Sequence, residues 1–148
     1  MVQDIKRLAI QWLYPSWLGL VKEYRWLKMR VELPFPPKEL FPNRMHGHAW
    51  AKLYKLKGEC RETGFYLTKQ AKGNWTWNRG SIKLKLMYVM PDKRHRDIDN
   101  CLAASKSLLD GMADALQVND KFFRPIEINW EHGDKPGKII VEIQQDDQ

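Results

Sequence analysis

The sequence is poor in the features that would assign it to a specialised class. It has two cysteines, Cys60 and Cys101, in 148 residues, and neither stands in a C-x-x-C pattern or beside a metal-type histidine pair. A disulfide framework is therefore excluded, and two lone thiols fit a reducing cytoplasm. No long unbroken apolar run occurs either. The richest segment, "LAIQWLYPSWLGLV", is interrupted by Gln11, Pro15 and Ser16 and followed by Lys22 and Glu23, so it is too short and broken to span a bilayer. Repeats and low-complexity tracts are absent, and acid is scarce relative to base. Eighteen Asp and Glu against 25 Lys and Arg leave a formal charge of +7. Such an excess favours a polyanionic partner, because Lys and Arg that neutralise phosphates release condensed counterions. Nucleic acid is the leading partner class and an anionic membrane surface the second.

The composition, 43% hydrophobic and 29% charged, is that of a folded chain with one core. Ile5, Leu8, Ala9, Trp12 and Leu13 recur at helical spacing, Pro15 stops that run, and Trp17, Leu20, Val21 and Tyr24 resume one. Residues 1–28 thus read as a helical extension with an aromatic stripe made for packing. "MRVELPF" alternates as a strand, and "PFPPKELFPN" follows as a proline-set loop. A helix is expected over roughly 44–60, with a continuation past Gly64 left open and weakened by Gly58 and Gly64. "AKGNWTWNRG" is loop chemistry, in which Trp75 and Trp77 either cover a core edge or stack on unpaired bases. "SIKLKLMYVM" is the clearest strand, one face apolar and the other carrying Lys83 and Lys85. A helix over about 99–116 and a closing hairpin of 125–132 with 138–144 complete the chain. The expectation is α+β: one domain over 29–148, a small mixed sheet packed by helices, and the N-terminal helical extension.

The chemistry concentrates in "PDKRHRDIDN", residues 91–100, where three aspartates and three Lys or Arg residues share ten positions. Asp97 and Asp99 stand where a strand ends and a helix begins. Mg²⁺ takes one or two carboxylates together with waters and phosphate oxygens, which suits such a pair. Capping is the alternative role for aspartates at this place. Lys93, Arg94 and Arg96 lie immediately upstream, where they suit a phosphodiester backbone. A third acid, Asp120, follows the helix, and an antiparallel return would carry it towards the first two. Lys106 shares the helix face of Asp99 about 10 Å along the axis, and forms an i, i+4 pair with Asp110. His46 and His48 lack the further ligands a zinc site needs, and Arg44 and His46 are better read as touching DNA.

"MPDKRHRDIDN", "KSLLDGMADAL" and "VNDKFF", together with "LPFPP" and "PNRMHGHAW" ahead of them, resemble the RusA family of Holliday junction resolvases, small endonucleases typical of phages and prophages. The resemblance runs from about Met29 to Ile143. It implies a homodimer that binds four-way DNA junctions in the cytoplasm of a bacterial host and nicks two strands symmetrically with Mg²⁺ or Mn²⁺. By it, Asp97, Asp99 and Asp120 take the metal-ligand positions. Lys106 is the best match for an essential lysine, offset by three residues from Ala103, where the family often places it. Lys93, Arg94, Arg96, Arg44, Lys83 and Lys85 are the expected contacts to DNA phosphates, and no membrane partner is expected. Two alternatives stand beside this reading: a non-catalytic module for branched DNA, and a nuclease for other branched or single-stranded DNA.

Overall fold

Alternation builds the sheet. In β2 (Ile82–Met90) every second side chain, Ile82, Leu84, Leu86, Tyr88 and Met90, is buried, while Lys83, Lys85, Met87 and Val89 between them are only partly covered. β1 (Trp26–Pro34) buries Met29, Val31 and Leu33 in the same rhythm, and β4 (Lys138–Asp146) buries Ile139, Val141 and Ile143 completely. With β3 (Phe123–His132) these strands form a mixed sheet in the order β1-β4-β2-β3. β4 runs antiparallel to both β1 and β2, and β2 and β3 are parallel. This is a computed structural model, and it describes residues 26–146. The helical extension expected over residues 1–28 lies outside the described residues, except that β1 claims Trp26 and everything after it, three residues ahead of the expected strand.

Three helices cover the apolar face: α1 (Trp50–Lys72), α2 (Ile98–Ala104) and α3 (Lys106–Leu116). The chain is a single α+β domain, as its pattern of elements implies. α1 and α3 meet backbone to backbone. A Cβ on Gly64 would stand 2.2 Å from the Leu108 carbonyl oxygen, and one on Gly111 would stand 1.9 Å from that of Arg61. Gly64 therefore lies inside a long helix because α3 needs the space, and of the two readings left open the continuation past Gly64 holds, α1 running to Lys72. Arg61 locks the crossing with a two-pronged bond to Asp114, at 2.6 and 3.0 Å.

Two expectations are corrected. The single helix over 99–116 is broken at Ser105, a fully buried residue whose hydroxyl donates to the Cys101 carbonyl at 2.7 Å and accepts from the Tyr88 hydroxyl at 3.0 Å. The serine's bond back to the preceding turn bends the helix, and a tyrosine of the sheet fixes the bend. Nor do the last two strands form a hairpin. Residues 133–137 hop over the end of β2, so β3 pairs parallel on one side of it and β4 antiparallel on the other. Gly133 N–H donates to the Met90 carbonyl at 2.9 Å, and Gly137, at φ +75°, passes where a Cβ would meet the Val89 carbonyl at 2.8 Å. The short turn expected between neighbouring strands instead bridges a third.

Candidate functional site

The C-terminal end of β2 opens into a cleft of about 640 Å³. Three segments wall it: the proline-set stretch after β1, which folds as two 3-10 turns (Lys38–Leu40 and Pro42–Arg44); the loop carrying Arg94 to Asp97; and the Lys135–Pro136 turn. β1 and β2 both point their C-terminal ends here because each pairs antiparallel with the start of β4. Basic side chains dominate the lining, with Lys38, Arg44, Arg94, Arg96 and Lys135 against Asp92 and Asp97.

Asp92 organises one wall, and it escaped the sequence reading, which assigned it no role. Its carboxylate accepts two bonds from Arg96, at 2.8 and 3.0 Å, and two from the Arg94 guanidinium, at 3.2 and 3.1 Å. A further bond comes from the Arg94 backbone N–H at 2.9 Å. The Arg96 guanidinium, reinforced by these Arg94 bonds, holds the Asp92 carboxyl far below the usual carboxylate range. Arg96 is thereby pinned, largely buried, with its guanidinium 5.5 Å from the Phe35 ring centre. Arg94 keeps most of its surface open, and Lys93 is exposed. The signal available in the sequence was the D-x-R-x-R spacing.

Asp97 occupies the N-cap position of α2, with extended backbone, yet its side chain makes no capping hydrogen bond. The carboxylate instead faces outward, 3.6 Å from His95 and about two-thirds exposed. Asp99, expected at or beside the cap, lies within the first turn and is exposed. Asp97 thus stands on the lip of the cleft without being consumed by helix capping, and Asp99 follows it two positions on in the first turn of α2.

Asp120 and Lys106 are elsewhere. β3 starts at Phe123, which pairs with Ile82 at the opposite end of β2 from the cleft. The expected antiparallel return is a 3-10 turn (Asp120–Phe122) feeding a parallel strand, so it carries Asp120 to Lys106 rather than to Asp97 and Asp99. The Lys106 ammonium donates to Asp110 at 2.5 Å and to Asp120 at 2.6 Å. Asp110 first and Asp120 second push the lysine up, and Lys106 in turn pulls Asp120 down. Among the described residues no three His, Cys, Asp or Glu side chains are grouped to hold a metal ion.

The other expected contacts divide. Arg44 lines the cleft. Lys83 spends its charge on Glu127 at 2.7 Å, and Lys85 lies in register between Glu127 and Glu142, so the strand face read as basic is a ladder of mixed sign. Trp75 is buried and Trp77 packs on Phe122 while donating to the Gly80 carbonyl at 2.8 Å, which settles these tryptophans as a core edge. Trp50 and Tyr54, stacked at 5.3 Å on the first turns of α1 and 77% and 68% exposed, are surface aromatics that the spacing did not single out.

Fold and site together define an α+β domain that carries a basic, proline-walled cleft with Asp97 on its lip. No family model matches the chain. It is similar to an uncharacterized protein of Xylella fastidiosa (strain Temecula1), 28% identical over 118 residues, which cover 76% of this chain and 74% of that protein. Among the described residues, no helix is long and apolar enough to cross a membrane.

Proposed function

We propose that this chain is a divalent-metal-dependent endodeoxyribonuclease that acts on branched DNA, with the four-way junction as its substrate. The observation that carries the reading is the Asp97 carboxylate, left uncapped at the rim of a basic cleft with Asp99 two positions on. An acid kept for the helix would bond to it; an acid kept for a cation faces out.

Two exposed carboxylates are a sufficient protein share for Mg²⁺ or Mn²⁺, whose remaining positions go to water and phosphate oxygens. Asp97 and Asp99 would hold the ion, which supplies a Lewis acid at the scissile phosphate. Lys93, Arg94 and Arg44 hold the flanking backbone, and Asp92 keeps the Arg94 and Arg96 pair in place. In the free chain Lys106 neutralises Asp120, so this pair takes part in cutting only when DNA or an ion separates them. A homodimer follows from the chemistry, since one site of this size cannot cut two opposed strands together.

The test is junction cleavage with and without Mg²⁺, set beside linear duplex and flaps. Wild type is expected to place paired, symmetric nicks on the junction. Asp99→Asn should lose cutting by more than roughly a hundredfold while still binding, because even the partners behind a metal ligand are worth ~10–100-fold. Cutting of flaps in preference to junctions points to a nuclease for other branched DNA. The Lys106–Asp120 pair favours one competing reading, a DNA-binding module without catalysis. Wild type that binds junctions tightly and cuts no DNA with Mg²⁺ or Mn²⁺ establishes that reading instead.

A further inference from the structure

The cleft contains more positive charge than its own acids answer. Asp92 is committed to Arg94 and Arg96. Lys38, Arg44 and Lys135 form no ion pair among the described residues, although each lines the same recess. They come from two separate segments, the proline-set stretch with its two 3-10 turns and the strand-hopping turn, so tertiary folding brings Lys135 to Lys38 and Arg44. Cations gathered without an acid repel one another, and an arriving anion relieves that cost.

Beside the cations the wall presents Phe35, Pro36, Pro91 and Pro136 together with the polar Asn43, His95 and Asn100, and Phe35 has Phe41 at 6.0 Å between ring centres and the Arg96 guanidinium 5.5 Å from its own. A duplex backbone lying across the lip would meet the cations and leave this wall unused. The volume, about 640 Å³, is that of a small-molecule site, which typically spans ~300–1,000 Å³. An occupant that satisfies both parts has one phosphate and one planar, largely apolar group.

We propose that the cleft receives a single unstacked nucleotide, its phosphate on Lys38, Arg44 and Lys135 and its base against Phe35 and the prolines, which lays the adjoining phosphodiester beside Asp97. The inference rests on the nuclease reading and deepens it. Branch points offer such a nucleotide where uninterrupted duplex does not, so the cleft becomes the element that selects branched DNA.

The full chain is titrated with thymidine 5′-monophosphate, deoxyribose 5-phosphate and inorganic phosphate, following backbone amide shifts of the cleft segments. The nucleotide should bind about tenfold more tightly than either base-less anion, the worth of one base contact of this kind. Lys135→Gln and Arg44→Gln should weaken all three ligands roughly threefold to fivefold. Phe35→Leu should weaken the nucleotide and leave phosphate unchanged, and retained phosphate binding shows that this variant still folds. Equal affinity for all three ligands overturns the proposal, leaving an anion site without base recognition. In a second arm, duplex with one unpaired nucleotide competes with matched duplex of equal length. Preference for the unpaired form supports the proposal; no preference, even with tight nucleotide binding, overturns selection of branched DNA. Nucleotide and unpaired-duplex preference without cleavage of any DNA sinks the nuclease reading and leaves this one standing.

Discussion

At the scale of single residues, one cation does opposite work in two places. Arg96 is fixed by Asp92 and serves the wall of the cleft, whereas Arg44, without an acid, is available to a ligand. Lys106 belongs to the first kind, since both neighbours of its ammonium are carboxylates. Lys106→Met should raise the Asp120 pKa towards the ordinary carboxylate value, read from the pH titration of its carboxyl carbon by NMR. The sign follows from linkage: a carboxylate lowered in the folded state stabilises above its unfolded pKa and loses that contribution as pH falls through the folded one. The variant should therefore be less sensitive to acid than wild type. An Asp120 titration unchanged by the substitution would dissolve the pair. Asp97 and Asp99 stand apart from this cluster, and their role is tested by the cleavage of the asparagine variant.

At the scale of elements, the α1–α3 crossing is a close approach of two helix backbones. Gly111→Ala forces a methyl against the Arg61 backbone and should destabilise by about 1–3 kcal/mol or more, as overpacking does. Gly58→Ala lies in the same long helix with nothing within 4 Å, and should stabilise by about 0.5–1 kcal/mol. Chemical denaturation of the two variants checks both, and equal effects would contradict the close approach. The bend at Ser105 is the second feature at this scale. Burial pushes the Tyr88 hydroxyl up to about 12, so this tyrosine keeps its proton in the fold where the unfolded chain has lost it. Its contribution is complete below the unfolded pKa of roughly 10 and declines as pH rises through the interval to about 12. Tyr88→Phe should cost about 1 kcal/mol and remove that alkaline dependence, measured by unfolding at pH 8 and pH 11.

At the scale of the whole molecule, a charge of +7 is unevenly spent. On the open sheet face Lys83 is paired with Glu127, whereas Lys38, Arg44 and Lys135 share one end of the sheet without an ion pair among the described residues. DNA affinity should accordingly fall with salt. Arg44→Ala should flatten the log–log slope by about one, and Lys83→Ala should leave it unchanged because its charge is already neutralised by Glu127. Equal losses would return the open face to the DNA surface.

Periodicity by itself determined the strands read at 81–90 and 138–144, the helical character of 99–116 though not its break at Ser105, and the α+β class, because alternating and helical burial are written in the order of side chains. Asp97, Asp99, Lys93, Arg94 and Arg96 stood out by local spacing in the same way, whereas the part that Asp92 plays in holding Arg94 and Arg96 did not. Only the tertiary structure decided which strand pairs with which, that α1 and α3 meet backbone to backbone at Gly64 and Gly111, and that Asp120 joins Lys106 while Lys135 shares a recess with Lys38 and Arg44. These are contacts between segments far apart in the chain. A turn sequence such as "GDKPG" fixes the direction of the chain, while the partner it reaches depends on which apolar faces the whole fold must bury.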